Sequence, residues 1–230
     1  MSAEKEEIFK QTELFRNLEG DALRELVAHA VEKRLARDEI LFIAGEAAAG
    51  LFVIAKGAVR AFRTGADGRE QIIHVERAPA TIAELPVFDN GNYPSTVAAE
   101  EATVTYFLDK REDKNLCLKH PQIALAAAEL LAGRLRRCAQ LVEALSLREV
   151  GQRLAHLLFR EAAANGKQTE KGVRFKQKLT HNQLAARIGS VREVVTRALY
   201  RLQSQGLIIV DGKDVIVPQP NLLASYADAE

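Results

Sequence analysis

Residues Leu179–Gly206 read LTHNQLAARIGSVREVVTRALYRLQSQG, and the punctuation of this stretch decides the fold. Thr180 followed by Gln183 has the T-x-x-Q spacing of a capping box, and Ser190 followed by Glu193 has S-x-x-E. Each pattern sets a side-chain oxygen over N–H groups that lack partners in a first helical turn. Gly189 stands between them, where a positive φ can end one helix before the next begins. Val194, Val195, Ala198, Leu199 and Leu202 recur at helical spacing and leave Arg192, Thr196, Arg197, Tyr200 and Arg201 for the other side. Gly206 closes the second helix. Two short helices about a glycine turn, the second with a basic outer face, make a helix-turn-helix. Such a motif lays its second helix in the major groove of DNA, its first residues at the base edges.

Charge supports that reading. Residues 171–213 hold nine Lys and Arg against two acids, a net +7. The whole chain is +1, so the remainder sums to −6. A basic region on a mildly acidic partner points to double-stranded DNA. Charge alone fits a solvated helical surface equally well; it is the capped motif that tips the balance. A different class of function stays open, a ligand-binding module that regulates a protein partner through the same surface. Salt separates the two, because phosphate contacts weaken steeply with ionic strength.

Composition excludes much else. A chain of 230 residues suits one large domain or two modest ones. Its start, MSAEKEEIFKQTELF, is too charged for a signal peptide, and no run is long enough to span a membrane. A cytoplasmic protein without a membrane partner is expected. Cys117 and Cys138 form no CxxC pair and no zinc pattern, and two cysteines cannot ligate a four-cysteine iron–sulfur cluster. No G-x-S-x-G, H-E-x-x-H or G-x-G-x-x-G occurs, and Gly166-Lys167-Gln168-Thr169 lacks the glycine and hydroxyl of a phosphate loop. The chain is not expected to be an enzyme.

Working outward, Glu4–Arg16 and Asp21–Ala30 suggest short helices. Short β-prone runs follow between glycine turns: Glu39–Ile43, Leu51–Ile54, Val59–Arg63, Glu70–Val75, Thr96–Ala98 and Thr103–Leu108. They predict an antiparallel sandwich or barrel able to hold a small molecule. Beyond Pro121, residues Ala124, Ala128, Leu131, Leu135, Cys138, Val142 and Leu145 alternate spacings of four and three, a coiled-coil seam that predicts a homodimer. Ala127, Leu130, Leu141 and Ala144 form a second apolar flank toward the chain's own β domain, while Arg134, Arg136, Arg137 and Glu143 stay off the seam. Gln152–Ala163 is amphipathic. Val173–Phe175, Leu207–Val210 and Val215–Val217, the last two around Asp211-Gly212, add a wing to the motif. The expected boundaries are 1–119 for the β domain, 120–146 for the dimerisation helix and 147–230 for the winged helix-turn-helix.

Ile188–Arg197, IGSVREVVTR, resembles the G-x-S-R-E-x-x-x-R signature of the CRP/FNR superfamily of bacterial transcription regulators, with Val191 where Ser is usual. The resemblance spans nearly the whole chain. It implies an α+β fold of an N-terminal antiparallel β-roll like a cyclic-nucleotide-binding domain, a long dimerisation helix and a C-terminal winged helix-turn-helix. It implies a homodimer on a palindrome of TGTGA-like half-sites, Arg192 and Arg197 on guanine edges, Glu193 on cytosine, and RNA polymerase as a partner of any activator. Arginine is bidentate to guanine and a carboxylate accepts from cytosine N4, so the residue types permit it. Glu193 also suits a helix cap, and the sequence leaves both roles open. Thr180, His181, Ser190, Thr196 and Arg201 are placed for phosphates.

The sensor half departs from the family pattern. The cassette G-E-L…R-S/T corresponds to Ala83-Glu84-Leu85…Pro94-Ser95-Thr96, so alanine replaces glycine and proline replaces the phosphate-pairing arginine. A buried cyclic phosphate would lose its bidentate partner. Glu84, Leu85, Ser95, Thr96 and, on the dimer helix, Cys138 are the candidate effector residues, with an effector other than cyclic AMP. The phrasing A-E-x-x-x-F…Y-P-x-T also resembles the branch that regulates dissimilatory nitrate respiration, which implies haem as an alternative, with His29, His74, His120 or His156 as possible ligands. A thiol pair of Cys117 and Cys138 is a third alternative.

Overall fold

A computed structural model describes residues 2–228. The chain divides into two compact units, one of residues 1–63 and 73–138, the other of residues 64–72 and 139–230. Helices α1 (Ser2–Lys10) and α2 (Gly20–His29) precede strands β1 (Val31–Leu35), β2 (Ile40–Phe42), β3 (Gly50–Lys56), β4 (Ala58–Thr64), β5 (Glu70–Arg77) and β6 (Ala80–Ile82). The short helix α3 (Leu85–Asp89), strands β7 (Thr96–Ala99) and β8 (Thr103–Asp109) and helix α4 (Lys110–Lys119) lead into the long helix α5 (Pro121–Leu147). After it come α6 (Val150–Asn165), β9 (Lys167–Thr169), β10 (Gly172–Lys176), α7 (His181–Ile188), α8 (Arg192–Ser204), β11 (Ile209–Asp211), β12 (Asp214–Val217) and α9 (Pro220–Ala227).

Two four-stranded sheets build the first unit, in the orders β1-β8-β3-β6 and β2-β7-β4-β5. Strand β3 shows why its sequence is apolar without interruption. Phe52 and Ile54 enter a core shared with Phe42, Val59 and Val97 of the other sheet. Leu51 and Val53 point the other way, into a core with Phe9, Leu23, Leu26, Ile123 and Ala127 from the helices. Burial on both faces turns the usual alternation into a continuous run. Each such side chain removed from water contributes about 1.5–3 kcal/mol. Helix α5 is anchored through Ile123, Ala126, Ala127 and Leu130, all buried.

The expected first helix to Arg16 stops at Lys10. Thr12 is fully buried; its hydroxyl donates to the Phe9 carbonyl (2.7 Å) and accepts from the Phe15 N–H (3.4 Å). Such local side-chain bonds compete with the helical ladder, and the turn stacks Phe15 on Phe9 with ring centroids 5.7 Å apart. Strands β1 and β6 and helices α3 and α4 were not foreseen. Each is short or carries many charges, so its periodicity is weak.

The second unit has its own core, formed by Leu154 and Leu158 of α6, Leu184 and Ile188 of α7, Val195 and Leu202 of α8, Phe175, Val215 and Val217 of the wing, and Leu223 of the unforeseen α9. The wing sheet runs β11-β12-β10-β9. Its hairpin turns on Asp211–Asp214, where Gly212 takes φ +59°.

Candidate nucleic-acid interface and effector pocket

The capping box opening α7 is present in full. Thr180 Oγ1 accepts from the Gln183 N–H (3.3 Å), and Gln183 Oε1 accepts from the Thr180 N–H (2.9 Å). Gly189 ends the helix at φ +65°, ψ +54°. A Cβ there would lie 2.4 Å from Leu145 Cδ2 and 2.5 Å from Gln71 Oε1, so the turn needs glycine for room as well as for φ.

The second expected box is not formed. Helix α8 begins one residue later, with extended Val191 as its N-cap and no side-chain cap bond. Val191 O takes the N–H groups of Val194 and Val195, both at 3.1 Å. Glu193 is therefore released from capping. It sits in the first turn beside the positive end of the helix dipole. Val195, Ala198 and Leu202 are buried beneath it. Arg192, Glu193, Arg197, Tyr200 and Arg201 are exposed. Among the described residues no ion pair engages Arg192, Glu193, Arg197 or Arg201.

His181 and Thr196 are tied together across the motif. Thr196 Oγ1 donates to the Arg192 carbonyl (2.9 Å), which uses its single hydrogen. The contact of 2.9 Å with His181 Nδ1 then requires Nδ1–H to donate to Thr196. In the neutral ring Nε2 is thus the nitrogen without a proton, an assignment that follows from the bonding network. Ser190 is half-buried and its N–H bonds the Ala185 carbonyl (3.0 Å).

In the first unit Glu84 is 0% exposed, and its carboxylate is clasped by Arg134 of α5, which is only 15% exposed. Arg134 Nη1 meets Glu84 Oε2, and Nη2 reaches Glu84 Oε1 (3.1 Å) and the Thr81 carbonyl (2.7 Å). Arg134 and Arg137 both approach Glu76 Oε1, at 3.5 and 3.6 Å. His74 stands 4.0 Å from the same oxygen, and among the described residues its Nε2 has no hydrogen-bond partner. Burial, then Arg134 and Arg137, push the His74 pKa down to about 4, so the ring is neutral at neutral pH. Burial pushes the Glu76 carboxyl up against the pull of the two guanidiniums. Two carboxylates face two guanidiniums, a balance with no net positive charge to attract an anion.

The other candidate effector residues take no part in this clasp. Ala83 holds φ +72°, the left-handed backbone that suits glycine. Thr96 Oγ1 accepts from the Ala44 N–H (3.1 Å), Ser95 is buried, Leu85 and Cys138 are exposed, and the Pro94 carbonyl accepts from Arg63 Nη1 (3.0 Å). No hydrogen bond or ion pair among the described residues joins them to Glu84. Sequence reading passed over Glu76, named His74 only as a possible haem ligand and placed Arg134 only off the seam. The signal was there for Arg134, a charge four residues beyond Leu130 on the stripe that α5 turns inward.

Residues 32–120 match the model of the cyclic nucleotide-binding domain, and residues 152–226 match the Crp-like helix-turn-helix domain. The chain belongs to the CRP/FNR superfamily. It is similar to the CRP-like cAMP-activated global transcriptional regulator of Mycobacterium tuberculosis, 27% identical over 96% of this chain and 99% of that one. It is likewise similar to the transcriptional activator protein Anr of Pseudomonas protegens, 26% identical over 92% and 86%. In fold it resembles a CRP/FNR-family regulator from Eubacterium rectale, with a TM-score of 0.76 at 20% identity over 94% of this chain and 98% of that one. Like its superfamily it is a DNA-binding transcription regulator and not an enzyme. Among the described residues no helix is long and apolar enough to cross a membrane.

The superfamily's β-roll implies a cyclic nucleotide, and the residues present do not fit one. The acceptor suited to a ribose hydroxyl is spent on Arg134, and proline stands where a phosphate needs a guanidinium.

Proposed function

We propose that this CRP/FNR regulator acts as a homodimer on a palindrome of TGTGA-like half-sites and answers to a signal other than cyclic AMP. The observation that carries the DNA reading is the set Arg192, Glu193 and Arg197, exposed on the first turns of α8 with Glu193 freed from capping. Arg192 and Arg197 read guanine, Glu193 reads cytosine N4, and Ser190 and Arg201 set the register on phosphates, whereas the hydrogens of Thr180, Thr196 and His181 Nδ1 are already given within the motif. The dimer reading is supported by α5, which buries one stripe and leaves Leu135 71% and Val142 64% exposed beside exposed Cys138 and half-buried Leu131 and Leu145. A twofold dimer of this kind offers one recognition helix to each half-site of a palindrome. An activator of this design also meets RNA polymerase. The mycobacterial relative is cAMP-activated by name; here the Glu84–Arg134 clasp supports a different control.

The test is fluorescence anisotropy on a duplex of two TGTGA-like half-sites and on a scrambled duplex, with and without cyclic AMP. Tight binding to the palindrome alone, indifferent to the nucleotide, is expected. Binding that appears only with cyclic AMP would reject the signal part of the reading. Equal binding to both duplexes would reject the half-site.

A further inference from the structure

Within the second unit one guanidinium is surrounded by carbonyl groups. Arg153, in the first turns of α6, donates from Nε to the Ile188 carbonyl (2.8 Å) and from Nη2 to the Gly189 carbonyl (3.3 Å). Its Nη1 donates to the Arg148 carbonyl (2.7 Å) and reaches those of Ala144 and Leu145, both at 3.4 Å. No carboxylate among the described residues shares it. Burial pulls the Arg153 pKa down, yet a guanidinium keeps its proton.

Four of the five carbonyls belong to two helix ends, and the fifth, that of Arg148, lies in the link between α5 and α6. Ala144 and Leu145 lie in the last turn of α5, where the Ala144 carbonyl also accepts from the Arg148 N–H (3.1 Å). Ile188 and Gly189 form the end of α7 and the turn before the recognition helix. Both helix ends carry the negative pole of a dipole. Arg153 therefore caps two helices at once, one from the dimerisation element and one from the reading motif. The same turn is pressed by Leu145 itself, which a Cβ on Gly189 would meet at 2.4 Å. A planar fork holds its acceptors at fixed angles, whereas a lysine is a point charge on a flexible stem.

We propose that Arg153 is the positioning residue that fixes the angle between the end of the dimer helix and the recognition helix, and so the distance between the two half-sites the dimer accepts. The inference rests on the palindrome reading above. Arg153 does not touch DNA. It acts through Ile188 and Gly189 on the start of α8.

The experiment compares wild type with Arg153→Gln and Arg153→Lys, the folded fraction of each checked by thermal melting. Three kinds of duplex are used: one half-site, two half-sites at the natural centre-to-centre spacing, and two half-sites moved by one to three base pairs. Wild type is expected to gain strongly from the second half-site at one spacing only. In Arg153→Gln, affinity for the single half-site should stay within about twofold, while the gain from the second half-site falls about tenfold and the spacing preference flattens. Arg153→Lys, which keeps the charge and loses the fork, should flatten the preference in the same way. Should Arg153→Gln fail to fold, the lysine variant decides. Full retention of the spacing preference in either folded variant would overturn the proposal. So would an equal loss on single and paired half-sites, which is the mark of a merely destabilised domain. A wild type that gains nothing from a second half-site would overturn the palindrome reading itself, and this inference with it.

Discussion

The candidate effector pocket and the recognition helix both carry arginines and glutamates, and they treat them in opposite ways. In the pocket, Glu84 and Arg134 spend their charges on each other out of water. On α8, Arg192, Glu193 and Arg197 stand in water, held by the backbone beneath them. Charge that is paired inside a fold stabilises or locks it, whereas charge held rigidly in solvent is available to a partner. The pattern of residue types alone does not tell the two apart, and only the geometry says which set is already engaged.

The largest effect expected from breaking the contrast lies in the pocket. Arg134→Ala leaves the Glu84 carboxylate buried and unpaired, and should lower stability by about 3–5 kcal/mol in denaturant unfolding. A loss below 1 kcal/mol would mean that the carboxylate finds water or another donor. Exchanging both residues together for Met and Leu should recover much of that loss.

Acid should loosen the same cluster. The folded state holds His74 at a pKa of about 4 against an ordinary 6.5, so between those values it binds fewer protons than the unfolded chain. Stability that is complete above pH 6.5 is then lost as pH falls toward 4, by up to about 3 kcal/mol. Glu76, raised by burial, binds its proton more readily when folded and offsets part of the loss. Urea midpoints at pH 7 and pH 5 should differ less in His74→Gln than in wild type. An unchanged gap would assign the acid sensitivity elsewhere.

On the solvent side, Arg192→Ala should cost about 1–3 kcal/mol of affinity for the specific duplex and relax one base position. Uniform weakening on all sequences, seen by anisotropy, would turn Arg192 into a phosphate contact. The smallest effect sharpens the pocket end. Ala83 sits at φ +72°, so Ala83→Gly should raise stability by about 0.5–1 kcal/mol, the relief of a left-handed residue less the added freedom of the unfolded chain. A loss would show that the alanine methyl is packed to advantage.

Much of the fold was legible because its signals are local. Thr180 with Gln183, the Gly189 turn and Asp211-Gly212 act within a few residues, and the structure realises each of them. Ser190 with Glu193 has the same form and fails, because the next helix takes Val191 as its cap and slides by one residue. Of the inward flank read on α5, Ala127 and Leu130 are buried, while Leu141 and Ala144 are only half-buried. The clasp on Glu84 was not legible. Arg134 lies fifty positions away along the chain, and that pairing exists only once β6 and α5 have packed. Arg153 carried no signal at all, since its acceptors are backbone carbonyls and any sequence supplies those.

The clasp has a consequence for supply. A diffusible ligand fills its pocket in proportion to its concentration, so a cell empties the pocket by consuming the ligand. A side chain fills its own pocket at a local concentration that neither dilution nor metabolism alters. Occupancy by Arg134 then answers to temperature, to acidity and to competitors strong enough to displace a guanidinium.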